Sequence, residues 1–282
     1  PTFRPSMDAP LPLPGDNRLG CVAADLASQG WAWQPGLLPD TLLAAMRAEI
    51  QRLDADATLA PAGIGRDDDF QVDRSIRKTR ITWLDGSSAA QLTFAEWAEH
   101  WREFLNRTLL LGLFEFEACY AVYPEGGFYD RHLDSFEGAK NRIVSIVVYL
   151  NEAWSVDDGG ALLVWPEGAT DEASPVACIV PEGGGVVFPE FGGDVYRPAA
   201  GDAVIFSCTL LHEALPVTQG QRFGLFTFFT DAQGLAAQKA AQQRSRAAGS
   251  QRRRRADTPS EPRGRKGAKI QYRGWTNREV ER

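Results

Sequence analysis

Two of the three histidines in the chain stand in a pattern that can hold a metal ion. His132 and Asp134 are separated by one residue, so on a strand their side chains would point to the same face and toward one ion. His212 follows at the end of a predicted strand at 203–207 and its continuation, and adds a second imidazole. Two imidazoles and one carboxylate are typical of non-haem Fe(II) sites, in which other coordination positions stay open. These residues therefore predict a catalytic iron centre.

One arginine that follows His212 suggests a second ligand for this centre. We expect residues 216–221 to turn and to return the chain as an adjacent antiparallel strand, which begins at Arg222 and is otherwise largely apolar. A guanidinium that enters an apolar barrel needs a partner, and its planar fork matches a carboxylate. A dicarboxylate such as 2-oxoglutarate would then chelate the metal at one end and meet Arg222 at the other.

The motifs around these residues resemble one known family. They are similar to the 2-oxoglutarate- and Fe(II)-dependent dioxygenases, and within them to the prolyl 4-hydroxylases of the oxygen-sensing type and their bacterial relatives. The resemblance covers roughly residues 36–230. In chain order the motifs are ITW at 81–83, YPEGGFYDRHLD at 123–134, YLNEAW at 149–154, GGAL at 159–162, PEG at 166–168, His212-Glu213 and Arg222.

The resemblance implies a fold and a set of site residues. The fold would be mainly β with flanking helices: a double-stranded β-helix with N-terminal helices packed on one sheet and the metal triad inside its mouth. Tyr149 would donate a hydrogen bond to the far carboxylate of 2-oxoglutarate, beside Arg222, and Tyr123 would line the co-substrate pocket. We assign Tyr129, Arg77 and Arg131 to substrate binding, with residues 60–80 as a loop that closes over a bound peptide.

The resemblance also implies an activity, the hydroxylation of a prolyl residue in a protein substrate. The reaction would use Fe(II), 2-oxoglutarate and O2, release succinate and CO2, and depend on ascorbate as a reductant. A long loop at 60–80 with both charge signs favours a peptide over a small molecule. The same chemistry on a free amino acid, a non-prolyl side chain or a small metabolite is the alternative.

The elements that must position these residues can be predicted from hydrophobic periodicity. A first helix begins near Pro39 and continues to Leu53, and a second follows a capping box of Thr93 and Glu96 and ends at Gly112. From residue 114 the period changes to two, which is typical of strands. Short strands separated by glycine-rich turns favour a β-sandwich or barrel. They are predicted at 114–122, 142–150, 161–165, 176–180, 186–188, 203–207 and 223–229.

The ends of the chain differ from its middle. Residues 1–35 are predicted to be an extended lead-in, which is proline-rich at its start, and the catalytic domain to span 36–230. The net charge of −7 conceals an acidic body and a basic tail at 231–282, which contains an arginine run at 252–255. That tail is predicted to be flexible. Because Tyr272 and Trp275 could stack on bases, weak contact with nucleic acid or a ribosome is a further alternative.

The composition excludes several other classes of protein. The longest apolar run is too short to cross a bilayer, and the N-terminal residues lack a secretory signal pattern. The four cysteines form no CxxC pair, so neither a zinc finger nor a disulfide framework is indicated. We therefore expect a cytoplasmic protein with no membrane partner. His100 lies off the apolar stripe of its helix and is interpreted as a surface histidine rather than a ligand.

Overall fold

The structure is a computed structural model that describes residues 16–63, 71–135, 142–169, 177–179, 186–187 and 201–232. Within these residues the helices are α1 (Asp16–Gln29), α2 (Asp40–Ala55) and α3 (Ala89–Leu109), with a short 3-10 helix at Val156–Asp158. The strands are β1 (Trp31–Gln34), β2 (Ala60–Pro61), β3 (Arg80–Trp83), β4 (Leu113–Tyr123), β5 (Tyr129–His132), β6 (Arg142–Tyr149), β7 (Leu162–Val164), β8 (Ala177–Ile179), β9 (Val186–Val187), β10 (Ala203–Ser207), β11 (His212–Ala214) and β12 (Arg222–Asp231).

The strands form two antiparallel sheets, which we name the large sheet and the small sheet. The large sheet has seven strands in the order β1-β10-β6-β12-β4-β3-β2. The small sheet has five strands in the order β5-β11-β7-β8-β9. Consecutive strands repeatedly alternate between the two sheets, as in a double-stranded β-helix. The predicted fold class is therefore confirmed.

The helices cover one face of the large sheet and create the main core. In β4, Tyr120 and Val122 join this core, whereas Ala121 and Tyr123 belong to a separate apolar cluster on the opposite face. This alternation follows from the two-residue period of a strand. The buried helical residues of the main core include Leu42, Met46, Ile50, Phe94, Trp97 and Trp101. The helices thus stabilise one face and leave the opposite face, between the sheets, for the site.

The prediction of an extended lead-in is wrong from residue 16 onward. Residues 16–29 form α1, whose Leu19 and Val22 are buried in the main core at helical spacing. The next residues form β1, which pairs antiparallel with β10 and extends the large sheet. The catalytic fold consequently begins before residue 36. The proline-rich residues 1–15 lie outside the described residues.

The first predicted helix is confirmed, but the predicted start of the second is wrong. Helix α2 begins at Asp40, directly after Pro39. Helix α3 begins earlier than expected, because Ser88 is its N-cap and accepts a hydrogen bond from the amide of Gln91 at 3.1 Å. Thr93 lies within the first helical turns, and its hydroxyl donates to the Ala89 carbonyl at 2.9 Å. Thr93 and Glu96 therefore do not form the capping box.

The path from His212 to Arg222 also differs from the prediction. His212 begins β11 in the small sheet and does not continue β10, which lies in the large sheet. Arg222 begins β12, which pairs with β4 and β6 rather than with β11. The chain therefore crosses between the sheets twice in this region. Local periodicity cannot distinguish such a crossing from a hairpin, because both begin with a short turn.

The last described strand ends near the predicted C-terminal boundary of the catalytic domain. Strand β12 ends at Asp231, close to the predicted end of the catalytic domain. The chain divides into two compact units, Pro1–Ala241 and Gln242–Arg282, and the described residues all belong to the first. The basic tail from residue 233 onward lies outside the described residues and stays a prediction. Within the described ranges, no helix is long and apolar enough to span a membrane.

Candidate metal centre

The three residues predicted to bind a metal converge in the structure. Each of His132, Asp134 and His212 offers one ligand atom, and these atoms all lie within 4.8 Å of one another. One carboxylate oxygen of Asp134, Oδ1, lies 3.6 Å from Nε2 of His132. The other, Oδ2, lies 3.6 Å from Nε2 of His212. Two imidazole nitrogens and a carboxylate therefore surround a space that could hold one metal ion.

The small sheet brings the two histidines together. His132 ends β5 and His212 begins β11, and these residues stand directly opposite each other in the antiparallel pair. Their ring centroids are 4.1 Å apart. Asp134 lies in a bend beyond the end of β5, so the expectation that it shares a strand with His132 is wrong. The bend nevertheless directs the carboxylate to the same point as the two imidazoles.

Backbone carbonyls orient both imidazole rings toward the centre. Nδ1 of His132 lies 2.7 Å from the Asp130 carbonyl, and Nδ1 of His212 lies 3.0 Å from the Leu210 carbonyl. A carbonyl oxygen only accepts, so each Nδ1 carries a proton and donates it. In the neutral ring, Nε2 then keeps a lone pair that faces the cluster. Hydrogen bonds of this type commonly fix the tautomer and orientation of metal-binding histidines.

The electrostatic environment favours metal binding at neutral pH. Burial, followed by the charge of neighbouring His212, lowers the pKa of His132 to about 4. Burial alone would raise the pKa of Asp134, but the charges of His212 and His132 outweigh it and hold this pKa well below its usual range. His132 is therefore neutral and Asp134 ionised near pH 7. These are the states in which both side chains bind a metal ion.

Arg222 occupies a buried pocket on the inner face of the large sheet. The residue is 4% exposed, and its guanidinium carbon lies 4.1 Å from the centre of the Tyr123 ring and 6.0 Å from that of Tyr149. Its Nη1 donates a hydrogen bond to the Gly160 carbonyl. Among the described residues no carboxylate forms an ion pair with Arg222. A buried guanidinium without an anionic protein partner fits an anionic ligand.

Gly160 permits this arrangement of Arg222. Its backbone φ of +70° lies in the left-handed region, which residues other than glycine rarely adopt. A Cβ at this position would also lie 3.4 Å from Nη1 of Arg222. The glycine in the GGAL motif therefore lets the backbone approach the guanidinium closely.

Two apolar clusters connect the arginine pocket with the metal cluster. Tyr123 belongs to the same apolar cluster as Ala214, which lies two residues after His212 on β11. Tyr149 belongs to the same cluster as Phe206, whose ring centroid lies 4.6 Å from that of His212. The structure therefore places the predicted co-substrate residues and the predicted metal ligands in one region between the sheets.

Two of the three predicted substrate-binding residues lie beside the metal cluster. The ring of Tyr129 stacks on His132 with centroids 3.4 Å apart, and the guanidinium carbon of Arg77 lies 4.4 Å from the Tyr129 centroid. The side chain of Arg77 also donates to Thr79 at 2.8 Å and to the Gly63 carbonyl at 3.4 Å. Arg77 thus contacts both flanks of the predicted closing loop, of which residues 64–70 lie outside the described chain.

The third predicted substrate-binding residue has other contacts. The guanidinium carbon of Arg131 lies 4.9 Å from the Trp165 ring centroid, next to β7. Arg131 is therefore not part of the stack of Arg77, Tyr129 and His132.

Sequence reasoning missed polar residues next to the centre. The hydroxyl of Ser145 donates to Oδ2 of Asp134 at 2.6 Å, and the sulfur of Cys208 lies 3.1 Å from that hydroxyl. Arg142 forms a partly buried ion pair with Glu117 and lies over the Phe228 ring, with 3.7 Å between its guanidinium carbon and the centroid. Ser145 could have been noticed as the one serine or threonine of strand β6, between apolar neighbours.

Comparisons with known proteins agree with this geometry. Residues 118–230 match the family model of the 2OG-Fe(II) oxygenase superfamily. A prolyl 4-hydroxylase from Pseudomonas putida is 34% identical, with a TM-score of 0.60 and coverage of 75% of this chain and 98% of that one. A prolyl hydroxylase from Trichoplax adhaerens, solved with a peptide fragment of the hypoxia inducible factor oxygen degradation domain, is 18% identical, with a TM-score of 0.60 and coverage of 78% and 91%.

The same fold also occurs in enzymes that catalyse other reactions. The non-haem, α-ketoglutarate-dependent carbocyclase SnoK from nogalamycin biosynthesis is 16% identical, with a TM-score of 0.50 and coverage of 75% of this chain and 83% of that one. No curated protein sequence matches this chain. The fold by itself therefore does not identify a substrate.

The identity across nearly the whole Pseudomonas enzyme, together with the metal cluster, assigns the class of this protein. The chain belongs to the 2-oxoglutarate- and Fe(II)-dependent oxygenases and resembles the prolyl 4-hydroxylases within them. The cofactors of this family are Fe(II), 2-oxoglutarate and O2, as the sequence predicted. The donor set of two imidazoles and one carboxylate fits Fe(II).

Proposed function

We propose that this protein hydroxylates a prolyl residue in a protein or peptide substrate. The reaction consumes 2-oxoglutarate and O2, releases succinate and CO2, and uses ascorbate to keep the iron reduced. The observation that carries the proposal is the 34% identity across 98% of a prolyl 4-hydroxylase, in a chain whose histidines and aspartate converge on one point.

His132, Asp134 and His212 are the proposed iron ligands. The convergence of their ligand atoms within 4.8 Å of one another supports this role, because a site with three protein ligands leaves coordination positions for 2-oxoglutarate and O2. When bound, Fe(II) supplies the oxidising chemistry that the protein side chains lack. The protein supplies the neutral imidazole of His132 and the ionised carboxylate of Asp134, which burial and neighbouring charges maintain near pH 7.

Arg222 is the proposed anchor for the far carboxylate of 2-oxoglutarate. Its guanidinium is buried, its Nη1 is held by the Gly160 carbonyl, and no described carboxylate neutralises it. We assign Tyr149 and Tyr123 to the walls of the same pocket, since both rings contact Arg222. A dicarboxylate held there would be oriented by charge at one end and by the metal at the other.

The peptide is proposed to bind beside Tyr129 and Arg77. The stack of Arg77 on Tyr129 and of Tyr129 on His132 joins the predicted closing loop to a proposed metal ligand. The Trichoplax enzyme of the same fold was solved with a peptide. Arg131 remains a proposed substrate contact at the Trp165 side of this region.

A peptide pair tests the substrate proposal. Succinate release would be measured with Fe(II), 2-oxoglutarate and ascorbate, using a library of proline-containing peptides and matched peptides in which alanine replaces proline. We expect release to rise with some proline peptides and not with their alanine counterparts. Equal stimulation by both members of every pair, or stimulation only by free amino acids or metabolites, would show that the enzyme acts on another target.

A further inference from the structure

The most informative polar group outside the proposed ligand set is the hydroxyl of Ser145. Ser145 is fully buried on β6, and its hydroxyl lies 2.6 Å from Oδ2 of Asp134. The alternate residues of this strand that share its face, Val147 and Tyr149, belong to the apolar cluster between the sheets. A hydroxyl in such surroundings costs free energy unless it is hydrogen-bonded. Its partner here is the carboxylate that sits between the two imidazoles.

Cys208 stands behind this hydroxyl. Its sulfur lies 3.1 Å from the Ser145 oxygen, and the residue is fully buried just after β10. Burial raises the pKa of the Cys208 thiol, so the sulfur keeps its proton. The backbone of Cys208 is held on both sides, because its amide donates to Ile143 at 3.0 Å and its carbonyl accepts from Ser135 at 3.3 Å. The thiol therefore has a defined position.

The direction of these hydrogen bonds follows from the chemistry of the groups. An ionised carboxylate only accepts, so the Ser145 proton must point to Asp134. The oxygen of Ser145 is then free to accept, and the protonated thiol of Cys208 is the donor. The result is a chain from thiol to hydroxyl to carboxylate in a buried region, where hydrogen bonds strengthen one another.

This series of hydrogen bonds orients Asp134, whose position in the fold does not fix its carboxylate. The two histidines are paired opposite each other on neighbouring strands, whereas Asp134 lies in a bend outside the strands. Pairing between β5 and β11 therefore does not determine the rotation of its carboxylate. The hydrogen bond from Ser145 does, because it commits Oδ2 to a partner on β6, an interior strand of the large sheet.

We propose that Ser145 is a positioning residue of the metal centre, with Cys208 orienting its hydroxyl. This inference rests on the proposed role of Asp134 as an iron ligand. Ser145 holds the carboxylate in the rotation at which Oδ1 faces the centre beside His132. Loss of a partner that orients a metal ligand typically costs about 10- to 100-fold in metal affinity.

The test measures the binding of Co(II) alone to the full chain by visible absorption, without 2-oxoglutarate or turnover. We expect Ser145→Ala to raise the Co(II) dissociation constant about 10- to 100-fold. The matched control is Thr227→Val, which removes another fully buried hydroxyl from the same sheet, on the face turned to the helices. This control should leave the dissociation constant unchanged. Equal affinities in wild type and Ser145→Ala would overturn the inference.

A double-mutant cycle tests the role of Cys208. Cys208→Ala keeps the Ser145 hydroxyl, so it should weaken Co(II) binding less than Ser145→Ala does, and it gives an independent result if that variant does not fold. In the Ser145→Ala background the same change should have no further effect. If the two substitutions lowered Co(II) affinity independently and additively, the hydrogen-bonded series from Cys208 through Ser145 to Asp134 would be contradicted. A separate variant tests the metal centre on which the proposed function depends. If His132→Ala bound Co(II) as tightly as wild type, the assignment of the metal ligands would be wrong.

Discussion

At the residue scale, each proposed metal ligand is oriented by a hydrogen-bonding neighbour that is not itself a ligand. A backbone carbonyl holds each imidazole, and the Ser145 hydroxyl holds the carboxylate. Such partners determine which atoms face the ion, so the ligand set depends on residues that no motif includes. The same logic applies to Arg222, which the Gly160 carbonyl holds in a pocket lined by two tyrosines.

The ligand assignment predicts that His212→Ala loses metal binding while the fold is retained. His212 contributes one of three ligand atoms, and its removal leaves two, which is too few for a stable mononuclear site. Fe(II) or Co(II) binding under anaerobic conditions would be measured by calorimetry. The control is His100→Ala, since His100 lies on α3 outside the cluster. A His212→Ala variant that binds metal normally would show that the triad is assigned wrongly.

The co-substrate assignment predicts a selective effect of Arg222→Lys. Lysine keeps the charge but loses the planar fork that binds a carboxylate through two hydrogen bonds. One such bond to a charged group contributes about 1.5–3 kcal/mol, so we expect the 2-oxoglutarate dissociation constant to rise about 10- to 100-fold. Fe(II) affinity should not change.

Calorimetric titration of 2-oxoglutarate into the metal-loaded protein measures this effect. Arg52→Lys is the control, because Arg52 is exposed near the end of α2 and forms an ion pair with Asp56, the residue that follows this helix. Unchanged binding of 2-oxoglutarate to the Arg222→Lys protein would place the carboxylate elsewhere.

At the element scale, a buried polar network ties the two long helices to the large sheet. Glu49 on α2 accepts hydrogen bonds from Ser88 and Gln91 at the start of α3 and from Tyr120 on β4, at 2.9–3.1 Å. The same Ser88 also caps α3. One carboxylate therefore links three elements of the main core, and it does so on the face of the sheet opposite the metal centre.

This network predicts that Glu49→Ala destabilises the fold without a direct effect on the site. The substitution leaves buried donors on Ser88, Gln91 and Tyr120 without their acceptor, which should lower the free energy of unfolding by about 3 kcal/mol. Urea unfolding followed by circular dichroism would measure it. Glu96→Ala, at an exposed position of α3, should lie within about 0.5 kcal/mol of wild type. Equal stabilities of the two variants would contradict this role of Glu49.

The strands and the site were predictable from the sequence to different degrees. Strand β4 and the beginning of α2 follow from local periodicity, and the triad follows from the residue types and their order. The crossing of the chain between sheets at His212 was missed, because pairing partners far apart in sequence leave no local pattern. The Ser145–Asp134 contact was missed for the same reason, since β6 and the bend after β5 meet only in the folded protein.

At the scale of the whole molecule, an acidic catalytic body precedes a strongly basic C-terminal segment. Strand β12 lies between β4 and β6 and is the last strand of the described chain. All proposed ligands and pocket residues precede its end. The chemistry should therefore be independent of the residues that follow.

This division predicts the behaviour of a chain that ends at Gly234. We expect it to fold, to bind Fe(II) and to turn over a short proline peptide as the full chain does, because every described strand is retained. If the basic tail recruits the substrate, activity on an intact protein substrate should fall, and added salt should reduce the activity of the full chain in the same way, since salt would screen that attraction. Parallel assays on peptide and intact protein would measure this. Loss of folding in the shortened chain would contradict the proposed boundary.

Identification of the oxidised residue tests the central claim most directly. A proline peptide that stimulates succinate release would be incubated with the enzyme, Fe(II), 2-oxoglutarate and ¹⁸O-labelled O2, and then sequenced by tandem mass spectrometry. We predict one labelled oxygen atom on the prolyl residue, and no label with the His212→Ala variant or without 2-oxoglutarate. Oxygen located on another side chain, or succinate formed with no oxygenated peptide at all, would contradict prolyl hydroxylation by this protein.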